Sequence, residues 1–137
     1  MDKLSANKLL VQRFNFEVIQ DNNRASFDAL MDRNFINHSA PMDNNGKESM
    51  WNTFANILKP AFPDLRVTIH EMVEEHDIVT TRKSITGTHE GALMHIKPTK
   101  KPVTIEVIDM VKIENGRYKE HWGINTFEKV LQTLANA

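Results

Sequence analysis

The residues with the clearest potential for chemistry lie in one stretch of the sequence, from Val103 to Asn125. Its first half alternates apolar and polar residues, which predicts a strand, and Glu-Asn-Gly at 114–116 predicts the tight turn of a β-hairpin. Asp109 falls on the apolar face of the first strand, and His121 follows on the second strand. A carboxylate in apolar surroundings should have a raised pKa, which suits a general acid or base near neutral pH. A neighbouring histidine could hold that carboxylate ionised or share its proton.

The register of the hairpin decides whether these two side chains meet. A two-residue turn at Asn115-Gly116 would place Asp109 opposite Trp122. A three-residue loop, with its glycine in the left-handed conformation, would place Asp109 opposite His121. We favour the three-residue loop, because directly opposed residues share a face and a buried carboxylate without a partner is costly. The alternative to catalysis is a structural Asp–His pair that only satisfies a buried acid.

Arg82, on the strand before the hairpin, is a candidate for binding a substrate. It lies on the same face of the predicted strand as Ile78 and Thr80. There it could direct its charge to a ligand carbonyl or carboxylate, or pair with Asp109. An arginine that faces outward from the strand is an equally good interpretation.

Two histidines and two tryptophans complete the candidate substrate-binding residues. His38 and His89 are loop histidines near the expected rim of a pocket, although each is more often a surface residue than a functional one. Trp51 and Trp122 could line a pocket for a planar ligand, but aromatic residues at helical or strand spacing more often belong to a plain core. Tyr118, the only tyrosine, lies beside the hairpin turn, so we do not expect an oxyanion hole built on a buried tyrosine.

Composition narrows the function classes. The length of 137 residues predicts one domain, residues 1–137, and 40% hydrophobic with 26% charged residues is typical of a soluble globular protein. A formal net charge of -1 gives no reason to expect nucleic acid or an anionic membrane as a partner. No apolar run approaches the ~20 residues of a membrane span and no apolar signal core begins the chain, so we expect a cytoplasmic protein. The absence of cysteine excludes thiolate chemistry, and no histidines or acids have metal-ligand spacing.

The elements that must position these residues follow from periodicity. Helical spacing dominates the first half of the chain, and strict alternation dominates the second half after Pro63. Ser5 is the expected cap of the first helix, with a start nearer Asp2 as the alternative. Helices that precede an antiparallel sheet define an α+β fold. The predicted helices are 5–22, 24–31, 47–58 and 126–135, and the predicted strands are 65–74, 78–86 and the two arms of the hairpin.

Seven short motifs, in order along residues 34–134, resemble those of the SnoaL-like polyketide cyclase (ester cyclase) family. The resemblance implies the fold of the nuclear transport factor 2-like superfamily, in which a cone-shaped, curved antiparallel sheet with N-terminal helices packed on it encloses an apolar pocket. It also implies homodimers and an intramolecular aldol closure of a polyketide ester, without a cofactor or a metal. The motifs are Asn37-His38, Ala61-Phe62-Pro63-Asp64-Leu65, Gly87-Thr88-His89-Glu90-Gly91, Pro98-Thr99-Lys100, Ile108-Asp109, Glu114-Asn115-Gly116 and Glu120-His121-Trp122.

One departure from the family leaves two functions open. Members often carry an aspartate directly after the His-Trp pair or three residues later, where this chain has Gly123 and Asn125-Thr126. The first function is a cofactor-free enzyme that transfers protons on a small or medium hydrophobic carbonyl compound, with Asp109 as the base, His121 as its partner and Arg82 as a stabiliser of negative charge. The second is a non-catalytic module that binds a small hydrophobic ligand or acts as a scaffold. The position of Asp109 on the apolar face of its strand favours the enzyme. The missing aspartate favours the module. Of the two, we favour the enzyme.

Overall fold

Helices make up most of the first half of the chain in the computed structural model, which describes residues 4–137. The Ser5 hydroxyl accepts the backbone N–H of Lys8 and so caps the first helix, as predicted; the alternative start near Asp2 lies outside the described residues. No described helix is long and apolar enough to cross a membrane. The helices are α1 (Ala6–Arg13), α2 (Arg24–Leu30), α3 (Lys47–Asn52), α4 (Lys59–Ala61) and the C-terminal α5 (Phe127–Ala135).

Two of these helices widen into π-helical turns. Helix α1 continues as a π-helix over Phe14–Gln20, and the segment Thr53–Leu58 between α3 and α4 is also π-helical. Each wide turn carries apolar side chains towards the sheet, among them Phe14 and Phe54, whose rings are 6.0 Å apart. Such turns in helices are often found at functional sites.

The sheet has five strands rather than the four predicted from the sequence. They are β1 (Met31–Asn37), β2 (Arg66–Glu75), β3 (Ile78–Thr88), β4 (Pro102–Glu114) and β5 (Arg117–Asn125), in the order β1-β5-β4-β3-β2. Strands β2 to β5 are antiparallel, but β1 pairs with β5 in parallel, so the sheet is mixed. The sequence of β1 is largely polar and its register is irregular, so periodicity could not reveal it.

The hairpin turn has two residues and not the three that we favoured. Asn115 and Gly116 have positive φ angles of 54° and 72°, which fits the type I′ turn that Asn-Gly favours. Glu114 pairs with Arg117 across it.

A bulge in β5 then changes the register along the rest of the hairpin. Lys119 is the extra residue, because Ile113 pairs with Tyr118 while the next residue, Lys112, pairs with Glu120. Asp109 therefore lies opposite Gly123, and His121 lies opposite Val111. Neither register considered from the sequence is correct beyond the bulge.

The hydrophobic core lies between the inner face of the sheet and the helices. Val79, Ile105 and Val111 of the sheet are buried against helical residues that include Val18 and Phe27. The inner face of β4 is the one that the sequence predicted, and Asp109 lies on it among apolar neighbours.

The expected homodimer concerns a second chain and stays a prediction, as does the cytoplasmic location.

Candidate active site

A cavity of about 250 Å³ lies between the inner face of the sheet and the two π-helical segments. Its walls are largely apolar, and polar side chains from four strands, from the segment after β1 and from one π-helical segment interrupt them. The apolar lining is Phe14, Ile19, Met50, Phe54, Leu58, Ile85, Ile105, Val107 and Phe127, and the polar lining is Asn37, Ser39, Thr53, Lys83, Asp109, Tyr118, His121 and Asn125.

Asp109 is the centre of the polar part of this cavity. Its side chain is only 9% exposed, and its Oδ2 atom lies 3.2 Å from both Lys83 Nζ and His121 Nε2. The other oxygen, Oδ1, is buried and has no hydrogen-bond partner among residues 4–137. The expected contact between Asp109 and His121 is therefore present, although through a different register.

Gly123 provides the space in which His121 reaches Asp109. The two residues are diagonal neighbours across β4 and β5, and long side chains can bridge such a diagonal. A Cβ atom at position 123 would lie 2.9 Å from His121 Cε1 and 3.2 Å from Asp109 Cβ. The absence of a side chain at Gly123 is thus part of the geometry of the site.

Lys83, which sequence reasoning missed, takes the place expected for Arg82. On β3 the inward residues have odd numbers, as buried Val79 and Ile85 show. The prediction had placed the even-numbered residues, Arg82 among them, on the inner face. Arg82 lies on the outer face, half exposed, and its Nε atom is 2.7 Å from Glu71 Oε1. The alternation of Val79 and Ile85 around Lys83 was the signal that could have identified it.

Asn15 is a second site residue that the sequence did not indicate. Its Oδ1 atom accepts a hydrogen bond from Lys83 Nζ at 2.6 Å, and its Nδ2 atom donates to the carbonyl of Val11 at 2.9 Å. Asn15 is buried in the π-helical turn after α1. The ammonium group of Lys83 is thus bound on one side by a carboxylate and on the other by an amide oxygen.

These contacts reverse the pKa shift that the sequence suggested for Asp109. Burial by itself raises the pKa of this carboxyl, but the positive charge of Lys83 and the hydrogen bond from His121 outweigh burial. The pKa of Asp109 therefore lies below its ordinary value. The expectation of a raised pKa was wrong because the sequence did not reveal the lysine.

Tyr118 is a buried residue of the cavity wall, contrary to the expectation from its place near the turn. Its ring stacks on Phe14 with 4.2 Å between centroids. Burial and the negative charge of Asp109 raise the pKa of Tyr118 well above its ordinary value. The hydroxyl is therefore a neutral donor in the cavity wall.

Strand β1 orients His121 through Asn37. His121 Nδ1 lies 2.9 Å from Asn37 Oδ1, and the backbone N–H of Ser39 donates to the same oxygen at 3.0 Å. The Ser39 hydroxyl in turn accepts the N–H of Gly123 at 2.6 Å. The parallel pairing of β1 with β5 places Asn37 opposite His121, so the strand that the sequence did not reveal supplies this contact.

His38 and Trp122 lie together, but outside the cavity lining. Their rings stack with 4.8 Å between centroids, and His38 Nε2 bonds to Glu120 Oε1 at 2.8 Å. Trp122 follows His121 on β5 and consequently faces the other side of the sheet.

Trp51 and His89 also lie away from the cavity lining. Trp51 packs on Phe27 with 5.2 Å between ring centroids and on the Arg24 guanidinium. His89 is buried, and its Nδ1 atom accepts the backbone N–H of Thr99 at 3.2 Å. Of the seven side chains that the sequence singled out for catalysis or binding, the cavity brings together Asp109 and His121.

In the part of the chain that the structure describes, no three His, Asp or Glu side chains form a group that could hold a metal ion. The absence of a cofactor from the reaction stays a prediction.

Helices packed on a curved mixed sheet, with polar side chains facing an internal cavity, define the nuclear transport factor 2-like fold. The family model of the SnoaL-like polyketide cyclase matches residues 9–133, so the chain belongs to this family. The family resemblance and the α+β class expected from the sequence are confirmed.

Solved structures show the same fold over nearly the whole chain. A candidate polyketide cyclase from Acidithiobacillus ferrooxidans has a TM-score of 0.85 and 22% identity, over 100% of this chain and 99% of that one. IdmH, a candidate polyketide cyclase from Streptomyces antibioticus, has a TM-score of 0.81 and 21% identity, over 94% of this chain and 98% of that one. AclR from Streptomyces galilaeus, a candidate hydroxylase, has a TM-score of 0.83 and 21% identity, over 98% of this chain and 84% of that one. No curated protein matches the chain.

At these identities the likeness establishes the fold and not the reaction. A cyclase assignment and a hydroxylase assignment occur on similar backbones, as is usual for folds that host many functions. The reaction must therefore be argued from the cavity.

Proposed function

We propose that this protein is a cofactor-free enzyme that transfers protons on a small or medium hydrophobic carbonyl compound, in the manner of a polyketide or ester cyclase. Asp109 carries the proposal. It is buried in an apolar cavity, its Oδ2 atom is bound by Lys83 and His121, and its Oδ1 atom has no partner among the described residues. One oxygen is thus fixed in place while the other retains its lone pairs for a proton.

In the proposed reaction, the Asp109 carboxylate removes a proton from the carbon next to a carbonyl. The electron pair of the broken C–H bond moves onto the carbonyl oxygen, which becomes an enolate. That carbon then attacks a second carbonyl of the same molecule and closes a ring, and the proton held by Asp109 passes to the new alkoxide. No atoms are lost or gained, so the reaction needs no co-reactant.

Hydrogen-bond donors near Asp109 stabilise the enolate in the proposed reaction, which compensates for the weak basicity of the carboxylate. A carboxyl with a lowered pKa is ionised at neutral pH but is a weak base, so the enolate must be stabilised strongly. Lys83 uses two of its three N–H groups on Asn15 and Asp109, which leaves one for a substrate oxygen. The neutral Tyr118 hydroxyl lines the same cavity.

The walls of the cavity indicate the size and polarity of the substrate. A volume of about 250 Å³ lies at or below the lower end of ligand pockets, which span ~300–1,000 Å³. Aromatic side chains, including Phe14, Phe54 and Phe127, form much of the lining. A compact, largely apolar molecule fits these walls, and the proposed ring closure requires that it carry two carbonyl groups.

The experiment that tests the proposal measures deuterium exchange, in heavy water, at the carbon beside the carbonyl of tetralone, by proton NMR. We expect the wild-type protein to accelerate exchange and Asp109→Asn to lower that acceleration by at least about a hundredfold. Glu114→Gln, an acid at the exposed hairpin turn on the same strand, is the matched control and should keep the full rate. Equal rates for Asp109→Asn and the wild type would contradict the proposal.

The alternative is a module of the same fold that binds a small hydrophobic ligand without turnover. The observation that favours it is the ion pairing of Asp109, since two donors on Oδ2 and a lowered pKa reduce its basicity. This alternative predicts that tetralone binds, seen as shifts of cavity resonances, while exchange stays at the rate of protein-free solution.

A further inference from the structure

We infer that the ligand of this cavity is an organic anion, with a carboxylate or ionised enol on an apolar body, and that Lys83 binds its charged oxygen. This inference rests on the proposed function, because it names the class of substrate for the same site. It follows from counting the protons that the hydrogen bonds around His121 require.

The first proton lies on His121 Nδ1. This nitrogen is 2.9 Å from Asn37 Oδ1. The side-chain amide of Asn37 cannot be turned over, because the backbone N–H of Ser39 donates to that same oxygen at 3.0 Å. An amide oxygen carries no hydrogen and can only accept, so Nδ1 carries the hydrogen.

A second proton lies between His121 and Asp109. His121 Nε2 is 3.2 Å from Asp109 Oδ2, and without a hydrogen between them two lone pairs would face each other. Because Asp109 is ionised, its carboxylate accepts this hydrogen from Nε2 of the ring. The pair of ring and carboxylate then has a net charge of zero.

The charge of Lys83 is therefore not balanced by the pair. Its side chain is 4% exposed, and Asn15, its second partner, is neutral. Besides Lys83, Asp109 and His121, the one titratable residue that lines the cavity from any described element is Tyr118, which is neutral. Glu120 of β5 is engaged by His38 and Lys112 instead.

A buried charge without a counter-charge is unfavourable, and an anion in the cavity removes that cost. Lys83 has one N–H left for such an anion once Asn15 and Asp109 are satisfied. The aromatic walls at Phe14 and Phe54 then hold the apolar body of the ligand. An enolate, the species that the proposed reaction generates, has the same charge as the anion inferred here.

The test compares two ligands of nearly equal shape, naphthoate and naphthamide, by isothermal titration calorimetry at neutral pH. We expect naphthoate to bind at least about tenfold more tightly, because a hydrogen bond to a charged group is stronger than one to a neutral group. Lys83→Met should remove this preference and leave naphthamide binding. Arg82→Met removes the same charge from the neighbouring residue on the outer face, so it is the matched control and should keep the preference.

Equal binding of the two ligands by the wild type, or tighter binding of naphthamide, would overturn the inference. So would the absence of naphthoate binding, or a preference that survives in a folded Lys83→Met. The wild-type comparison decides the question even if Lys83→Met does not fold. Because calorimetry measures binding without turnover, this result is independent of the exchange experiment: exchange of tetralone without an anion preference would reject the ligand class and keep the proposed reaction.

Discussion

His121 contacts Asp109 on a diagonal of the hairpin, with 3.2 Å between Nε2 and Oδ2, although the residue directly opposite Asp109 is Gly123. The contact depends on two features of β5. The bulge at Lys119 sets the register, and the missing side chain at position 123 leaves room for the imidazole. The neighbours of the pair are as important as the pair itself, and each can be tested by a single substitution.

Gly123→Ala should displace the imidazole of His121. The new Cβ would lie 2.9 Å from His121 Cε1, a distance at which one of the two groups must move. We expect a loss of about 1–3 kcal/mol in the free energy of unfolding and a changed nitrogen chemical shift of His121 by NMR. Gly46→Ala is the control, since a Cβ at Gly46 meets no atom within 4 Å. Unchanged His121 shifts in Gly123→Ala would contradict this explanation.

Asn15→Leu should destabilise the fold through Lys83. The substitution keeps a side chain of similar size in the π-helical turn but removes the oxygen that accepts from the buried ammonium at 2.6 Å. We expect a loss of about 3 kcal/mol in urea unfolding, because a charged donor is left without its partner. Asn56→Leu changes an exposed asparagine and should alter stability by no more than about 0.5 kcal/mol. Similar values for both variants would show that Asn15 does not bind the ammonium group.

Asp109 should make stability depend on pH on the acidic side. Its pKa in the folded protein lies below the ordinary value, so the unfolded chain binds more protons at this group as the solution is acidified. The stability that Asp109 contributes is complete above the unfolded pKa and is lost as the pH falls through the folded pKa. We therefore expect the difference in unfolding free energy between the wild type and Asp109→Asn to shrink from about pH 5 downward. A difference that stays constant or grows with acid would have the wrong sign.

Asn37 should act as a positioning residue for His121. Asn37→Leu removes the acceptor for Nδ1, which frees the ring to rotate or to lose that proton. We expect about a tenfold to hundredfold lower rate of tetralone exchange and an altered pH profile of that rate. Asn37→Asp retains an acceptor in the same place and should restore much of the rate. A purely structural role would instead give equal losses in both variants, with the pH profile unchanged.

The sequence by itself determined the α+β class, the positions of the helices and the hairpin, and the placement of Asp109 on the inner face of β4. These features depend on local periodicity, capping and turn chemistry, which a few neighbouring residues encode. The family resemblance came from the same short motifs.

The tertiary structure alone decided which side chains meet. A single extra residue at Lys119 shifted every pair beyond it, and the parallel pairing of a largely polar β1 brought Asn37 to His121. Packing placed Lys83 and not Arg82 beside Asp109, and a buried cation in that place lowers the pKa of the carboxyl. Such contacts depend on register and strand order, which arise from packing across the whole sheet and leave no periodic signal in the chain.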